Sequence, residues 1–122
     1  NISVFGVYVY SSGTIYAATS GGLSISTNSG SSFTNKTTAQ GLGNNTVKDV
    51  YVDSSGTIYA ATFGAGISIS SDGGASFTNK TTSQGLGNNI VRDVFVDSNG
   101  TVYAGTDGGL SVNFQWFLNC NF

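Results

Sequence analysis

Short runs of alternating apolar and polar residues recur along the chain, and glycine, serine, asparagine and aspartate separate them. Valine, isoleucine, tyrosine, phenylalanine and threonine fill the runs, which is typical of β-strands. In the middle of the chain the pattern predicts four strands, at 47–53, 57–61, 66–70 and 76–81. No window places apolar residues at helical spacing between helix-forming residues, so we predict an all-β fold.

The predicted four-strand unit repeats along the chain. The segment GTIYAAT at 13–19 recurs at 56–62 and returns as GTVYAGT at 100–106, at offsets of 43 and 44 residues. This period matches the ~40–45 residues of a four-stranded propeller blade, whereas a parallel β-helix, our second interpretation, would need shorter coils. We therefore predict a single repeat domain over residues 1–122, with blades of four antiparallel strands at about 1–43, 44–87 and 88–122.

Three blades are too few for a closed ring, because propellers typically have about four to eight. An open stack exposes an apolar face at each end, which favours association. The simplest completion is a homodimer with a six-bladed ring, followed by membership of a longer protein and by a head-to-tail filament. The aromatic tail of the third unit is expected to form an outer strand, a cap or an oligomer contact, or to be a degenerate last repeat. The tail residues concerned are Trp116, Phe117 and Cys120.

The composition narrows the range of partners and chemistry. Charged residues make up 8% of the chain and the formal net charge is −2, so we expect no basic face for nucleic acid. No apolar run approaches the ~18 residues of a membrane helix, so no membrane insertion is expected. The absence of histidine excludes Ser-His-Asp and Cys-His catalysis, and the single cysteine excludes an intrachain disulfide. We predict no cofactor and no metal site.

The polar residues and the first residue bear on the origin of the chain. Low charge with abundant Ser, Thr, Asn and Gly suggests an extracellular, periplasmic or cell-surface protein. The chain begins with asparagine, so we expect either a processed chain or an excised piece.

A distinct turn follows the third predicted strand of the first two units. It reads STNSGSSF from residue 26 and SSDGGASF from residue 70, a pattern of S-x-[DN]-x-G-x-x-F. The pattern resembles the Asp-box, or BNR, repeat of sialidase-like and sortilin-like propellers, where the aromatic residue is often Trp. We interpret it as a structural turn, in which the Asn or Asp oxygen accepts backbone N–H groups and the aromatic ring packs between neighbouring sheets. The matching residues are Ser26, Asn28, Gly30, Phe33, Ser70, Asp72, Gly74 and Phe77.

The stretch that precedes this turn carries a second resemblance. The sequence GLGNNTVKDVYVDSSGTIYAAT at 41–62 is similar to the propeller repeats in periplasmic sensor regions of bacterial two-component regulators. The resemblance implies that Asp53 and Asp97 are hairpin-turn acids, although Tyr10 stands at this position in the first unit. Both resemblances imply a propeller, but propellers include enzymes, lectins, receptors and scaffolds.

The charged pairs Lys48-Asp49 and Arg92-Asp93 are the candidate ligand-binding residues. They stand at the start of the innermost predicted strand, near the channel mouth, where the first unit has Phe5 and Gly6. A ring of such groups could hydrogen-bond a small polar ligand or glycan, and the alternative is a ring of salt bridges between adjacent blades. The aromatic residues Tyr8, Tyr51 and Phe95 are predicted to pack between blades rather than to stack against a sugar.

The chemistry for catalysis is missing from the sequence. Sialidase-like catalysis would need an arginine cluster, a tyrosine nucleophile and a glutamate, and the chain has one Arg and no Glu. Recurrence of the aspartates at equivalent repeat positions indicates turns rather than a unique site. We therefore predict a non-enzymatic, self-assembling structural protein that acts through a propeller ring or a filament, with a lectin-like or sensor-type ligand-binding module as the alternative.

Overall fold

The computed structural model describes residues 2–113, which form eleven strands and two single-turn 3₁₀ helices. The first unit contains β1 (Val4–Val9), β2 (Ile15–Thr19), β3 (Gly22–Ser26) and β4 (Thr34–Lys36), and the second contains β5 (Val47–Val52), β6 (Ile58–Thr62), β7 (Ile67–Ser70) and β8 (Thr78–Lys80). The third contains β9 (Val91–Val96), β10 (Val102–Thr106) and β11 (Gly109–Asn113). The 3₁₀ turns span Thr38–Gln40 and Thr82–Gln84, and neither is long and apolar enough to cross a membrane.

Each unit is one antiparallel sheet, whose strands follow one another in chain order. The first two sheets have four strands, which confirms the predicted all-β architecture of four-stranded antiparallel units. The third has three strands within the described residues, and its predicted fourth strand lies outside them, as do Trp116, Phe117 and Cys120.

The three sheets stack face to face, and their inner strands follow one another, with β1 beside β5 and β5 beside β9. The alternation of side chains along a strand gives each sheet two faces. Tyr16 and Leu23 on one face of the first sheet pack against Val52 and Ile58 of the second in one buried cluster. The corresponding face of the second sheet packs against the third in the same way, so one interface repeats along the stack.

The GLGNN segments connect the sheets and anchor each connection by a leucine. Leu42 lies in the cluster between the first two sheets and Leu86 in the cluster between the second and third. Before Leu42, the Thr37 hydroxyl accepts the N–H of Ala39, and the Gln40 side chain accepts the N–H of Thr37 at 2.8 Å. This reciprocal cap explains the 3₁₀ turn, which the strand pattern alone did not predict.

Each end of the stack has an uncovered apolar face in the described chain. Val9 is 62% exposed, although its repeat equivalent Val52 is 1% exposed. At the other end Leu110 is 71% exposed, although its equivalent Leu23 is fully buried. The exposed end faces predicted from the number of units are therefore present in the part of the chain that the structure describes.

Candidate functional site

The charged pairs predicted as a ligand site lie at β-bulges in two of the inner strands, β5 and β9. The pairing of β5 with β6 shifts register between Val47 and Asp49, so Lys48 is the extra residue. Arg92 has the same position in β9, where Val91 and Asp93 pair with successive residues of β10. A bulge interrupts the ladder and redirects the side chains beside it. Each cation consequently has different neighbours from the aspartate that follows it.

Lys48 and Arg92 lie in a row with two phenylalanines. The Lys48 ammonium lies 3.7 Å from the ring centre of Phe5 and 5.1 Å from that of Phe63. The guanidinium carbon of Arg92 lies 5.4 Å from the Phe63 ring centre, while its Nε donates to Asp107 at 2.6 Å. Cation–π attraction of this kind joins neighbouring sheets. Because Asp107 belongs to the same sheet as Arg92, a salt bridge between blades is the wrong interpretation for Arg92.

Asp49 and Asp93, which occupy equivalent positions in neighbouring sheets, come together. Asp49 Oδ2 accepts the backbone N–H of Val94 at 3.1 Å, and the two carboxyl groups share a hydrogen bond. Burial and this shared hydrogen bond raise the pKa of Asp49 to about 7. Two carboxylates in contact hold a proton between them because both cannot be charged at low cost. With its proton, the Asp49 carboxyl therefore links the second sheet to the third.

We expect the free energy of unfolding to decrease from pH 5 to pH 8. The pKa of Asp49 is higher in the folded chain than in the unfolded chain, so the unfolded state loses its proton first and gains relative stability as the pH rises through about 4–7. The chain has no histidine to titrate in this window. For a partly solvated group the loss should be about 1–2 kcal/mol. Urea unfolding at both pH values measures it, and Asp49→Asn should flatten the dependence; an unchanged slope would refute this assignment.

An aromatic row crosses the inner strands farther along. The ring centres of Tyr8 and Tyr51 are 4.8 Å apart, and those of Tyr51 and Phe95 are 5.0 Å apart, both in tilted or edge-on contact. Burial and a hydrogen bond with Tyr51 raise the pKa of the Tyr8 hydroxyl. The predicted packing between sheets is therefore confirmed for these three rings. Tilted contacts of this kind stabilise aromatic pairs beyond their buried area.

The same rings also line a cavity of about 440 Å³, which we call the inner-strand cleft. Tyr8, Tyr51 and Phe95 form its aromatic wall, and Asp53 and Asp97 lie on its rim. Ser11, Ser54 and Ser98, the first residues of the hairpin turns, also line the cleft. Apolar surface with a few convergent polar groups is the usual composition of a small-molecule site.

Asp53 and Asp97 fix the hairpin turns that carry the rim. Asp53 Oδ1 accepts the N–H groups of Ser55 and Thr57, each at 3.0 Å, and Asp53 Oδ2 accepts the Tyr59 hydroxyl at 3.1 Å. Asp97 has the same set of partners in the third sheet. Backbone and hydroxyl donors lower the pKa of Asp97. In the first sheet Tyr10 replaces the acid and donates to the carbonyl of Ser54 instead. The predicted role of hairpin-turn acids is confirmed.

The turns that resemble Asp-boxes close by internal hydrogen bonds. Asp72 Oδ1 accepts the N–H of Ser76 at 3.0 Å, and Ser70 Oγ accepts the N–H of Gly74 at 2.9 Å, where Gly74 has a φ of 94°. The donors from Ser76 and Ser70 lower the pKa of Asp72. The equivalent first-sheet turn has the same bonds through Asn28 and Ser26. The geometry fits a structural turn, and the relation to Asp-box families stays a prediction.

The two aromatic residues of these turns differ in their surroundings. Phe77 packs against the cluster between the first and second sheets, as predicted. Phe33 is 49% exposed, contrary to the predicted position between sheets, because within the described residues no sheet lies on that side of it.

Two partners of Lys48 and Arg92, Phe63 and Asp107, were missing from the sequence prediction. Phe63 and Asp107 occupy the position that Ser20 holds in the first unit, so the repeat carries no constant residue there. The sequence gives only a weak signal for them, because each stands at a variable position directly after a strand whose other residues repeat. The predicted ligand role of Lys48, Asp49, Arg92 and Asp93 stays a prediction.

Comparison with known proteins agrees with this architecture. The model of the two component regulator propeller family matches residues 85–108. The extracellular domain of BT3049 from B. thetaiotaomicron, described as a hybrid two component system, superposes with a TM-score of 0.78 at 22% identity over 92% of this chain and 16% of its own. The fold is that of a β-propeller.

Two further solved structures superpose on the chain with similar TM-scores and identities. PorZ of Porphyromonas gingivalis, an essential surface component of the type-IX secretion system, gives a TM-score of 0.74 at 22% identity over 93% of this chain and 17% of its own. The extracellular domain of BT4673 from B. thetaiotaomicron, described as a one component system, gives 0.72 at 20% identity over 93% and 16%. This propeller chain thus spans 16–17% of the length of these structures. A search of curated proteins gives no match.

Proposed function

We propose that the chain supplies three blades to an extracellular recognition propeller of the sensor type, which binds a ligand without catalysis. The inner-strand cleft is the observation that carries this proposal, because it crosses all three inner strands and combines aromatic walls with a polar rim. The match to the two component regulator propeller repeat and the similarity to extracellular domains of regulatory systems support it.

The composition of the cleft favours a small polar ligand with an apolar face, such as a sugar ring of a glycan. The exposed ring of Phe95, which is 52% accessible, offers a surface for stacking, and Ser54 and Ser98, which also line the cleft, carry hydroxyl groups capable of hydrogen bonds. Asp53 and Asp97 keep their carboxylates in place through the turn N–H groups, so they are preorganised as acceptors.

Tyr51→Ala is expected to weaken glycan binding about 10-fold or more, because it removes the central ring of the aromatic wall. Tyr51→Phe should retain most of the affinity. A glycan array followed by calorimetry on the selected glycan measures these effects. Phe63→Ala is the matched control, since Phe63 lies among Lys48 and Arg92 at the other end of the inner strand. Loss in Phe63→Ala with full binding in Tyr51→Ala would move the site to the charged pairs, and no bound glycan would end the glycan proposal.

A structural role through self-assembly is the second candidate function. The exposed apolar end faces favour it, because such surfaces are a strong drive for association in water. Completion of a six-bladed ring by two chains, or growth of a filament, would each cover both faces.

A further inference from the structure

The two end faces of the stack are complementary, because faces with equivalent residues already contact each other between the sheets of the chain. We call the exposed side of the first sheet the leading face, formed by Val7, Val9, Ile15 and Ala17. We call the exposed side of the third sheet the trailing face, formed by Phe95, Tyr103, Leu110 and Val112. Residues that pair across strands share one side of a sheet, which defines both sets.

Both faces have repeat equivalents inside the stack, and these equivalents are buried against each other. The leading-face residues correspond to Val50, Val52, Ile58 and Ala60, all buried against the first sheet. The trailing-face residue Leu110 corresponds to Leu23, on the receiving side of that same contact. The chain therefore already contains the contact that its two free faces would make.

The trailing face also has space for a partner. A depression of about 170 Å³ lies between Phe95, Tyr103 and Leu110. Gly105 also lines it, and the equivalent residues of the first and second sheets are Ala18 and Ala61. Small apolar side chains such as those of the leading face could fill it, since close packing requires such interdigitation.

A polar contact adds specificity to the match. Inside the stack Asp49 accepts the backbone N–H of Val94 from the next sheet. On the trailing face the equivalent of Asp49 is Asp93, and on the leading face the equivalent of Val94 is Val7. In a docked pair, the backbone N–H of Val7 from one copy would thus donate to Asp93 of the other, as that of Val94 donates to Asp49 within the chain.

We propose that a second copy of this chain docks its leading face on the trailing face, head to tail. Two such contacts would close six blades around one axis, and an unclosed series would form a filament. This inference extends the second candidate function, and it shares one residue with the proposed ligand site, because Phe95 belongs both to the trailing face and to the wall of the inner-strand cleft.

Sedimentation velocity on the purified chain tests the proposal, with assembly expected at micromolar concentration. Val9→Asp and Leu110→Asp place a charge on one face each and should weaken self-association roughly 100-fold, because a buried unpaired carboxylate is costly. Both side chains are exposed in the single chain, so circular dichroism should show folded variants. Thr34→Asp, at an exposed residue of the outer strand β4 that belongs to neither end face, should assemble as the parent does.

Mixing the two variants separates this interface from any other. Val9→Asp retains its trailing face and Leu110→Asp retains its leading face, so the mixture should form a heterodimer with one intact contact. A monomeric parent chain, unimpaired assembly of either variant alone, or a mixture that stays monomeric would each overturn the proposal.

Discussion

Gly66→Ala should lower the free energy of unfolding by about 2–4 kcal/mol, a loss large enough to disrupt the second blade. Gly66 has a φ of 79°, and a β-carbon there would overlap the carbonyl oxygen of Lys80 in the neighbouring outer strand. The left-handed conformation costs an alanine about 1 kcal/mol, and the overlap with backbone adds about 1–3 kcal/mol because β7 and β8 must separate.

Gly13→Ala is the matched control for Gly66→Ala. Gly13 also has a positive φ, 93°, but no atom lies within 4 Å of its would-be β-carbon. It should lose only about 1 kcal/mol, from backbone strain alone. Urea unfolding followed by circular dichroism measures both. Equal losses in the two variants would show that the close approach of Gly66 to Lys80 is relieved at no cost, contrary to our argument.

Gly66 also shows how much of the fold can be predicted from sequence. The repeat and the strand pattern predict the sheets, and the slip from Gly21-Gly22 to Gly64-Ala65-Gly66 indicates a turn that accepts an insertion. The close contact with Lys80 cannot be predicted from the strand pattern, because it depends on how closely β8 passes the residue that precedes β7. Local alternation predicts which residues form strands, but the approach of backbones is a property of the assembled sheet.

The candidate site, like the fold, can be predicted only in part from the sequence. Asp49 and Asp93 stand at equivalent repeat positions, and equivalent positions of stacked blades are neighbours, so their contact follows from the repeat. The partners of Lys48 and Arg92 do not follow, because Phe63 and Asp107 stand where the repeat varies. The inner-strand cleft was not predicted either, since the rings of Tyr8, Tyr51 and Phe95 serve as packing and as a wall at the same time.

Leu23→Ala should lower the free energy of unfolding by about 2–5 kcal/mol, whereas Leu110→Ala should change it by about 0.5 kcal/mol or less in dilute solution. The two leucines hold the same repeat position, yet Leu23 is fully buried between the first and second blades and Leu110 is 71% exposed. Deletion of a buried leucine leaves a cavity in a close-packed contact, and deletion of an exposed one does not.

The concentration dependence of these two losses links stability to assembly. The cost of Leu23→Ala should be the same at low and high protein concentration, because its contact lies within one chain. The cost of Leu110→Ala should rise with concentration, because a second copy that covers the trailing face stabilises the folded state by mass action. Urea midpoints at two protein concentrations measure this difference. A large loss in the free energy of unfolding of monomeric Leu110→Ala would mean that the trailing face is already covered within the single chain. The inference that the chain is an incomplete propeller would then be wrong.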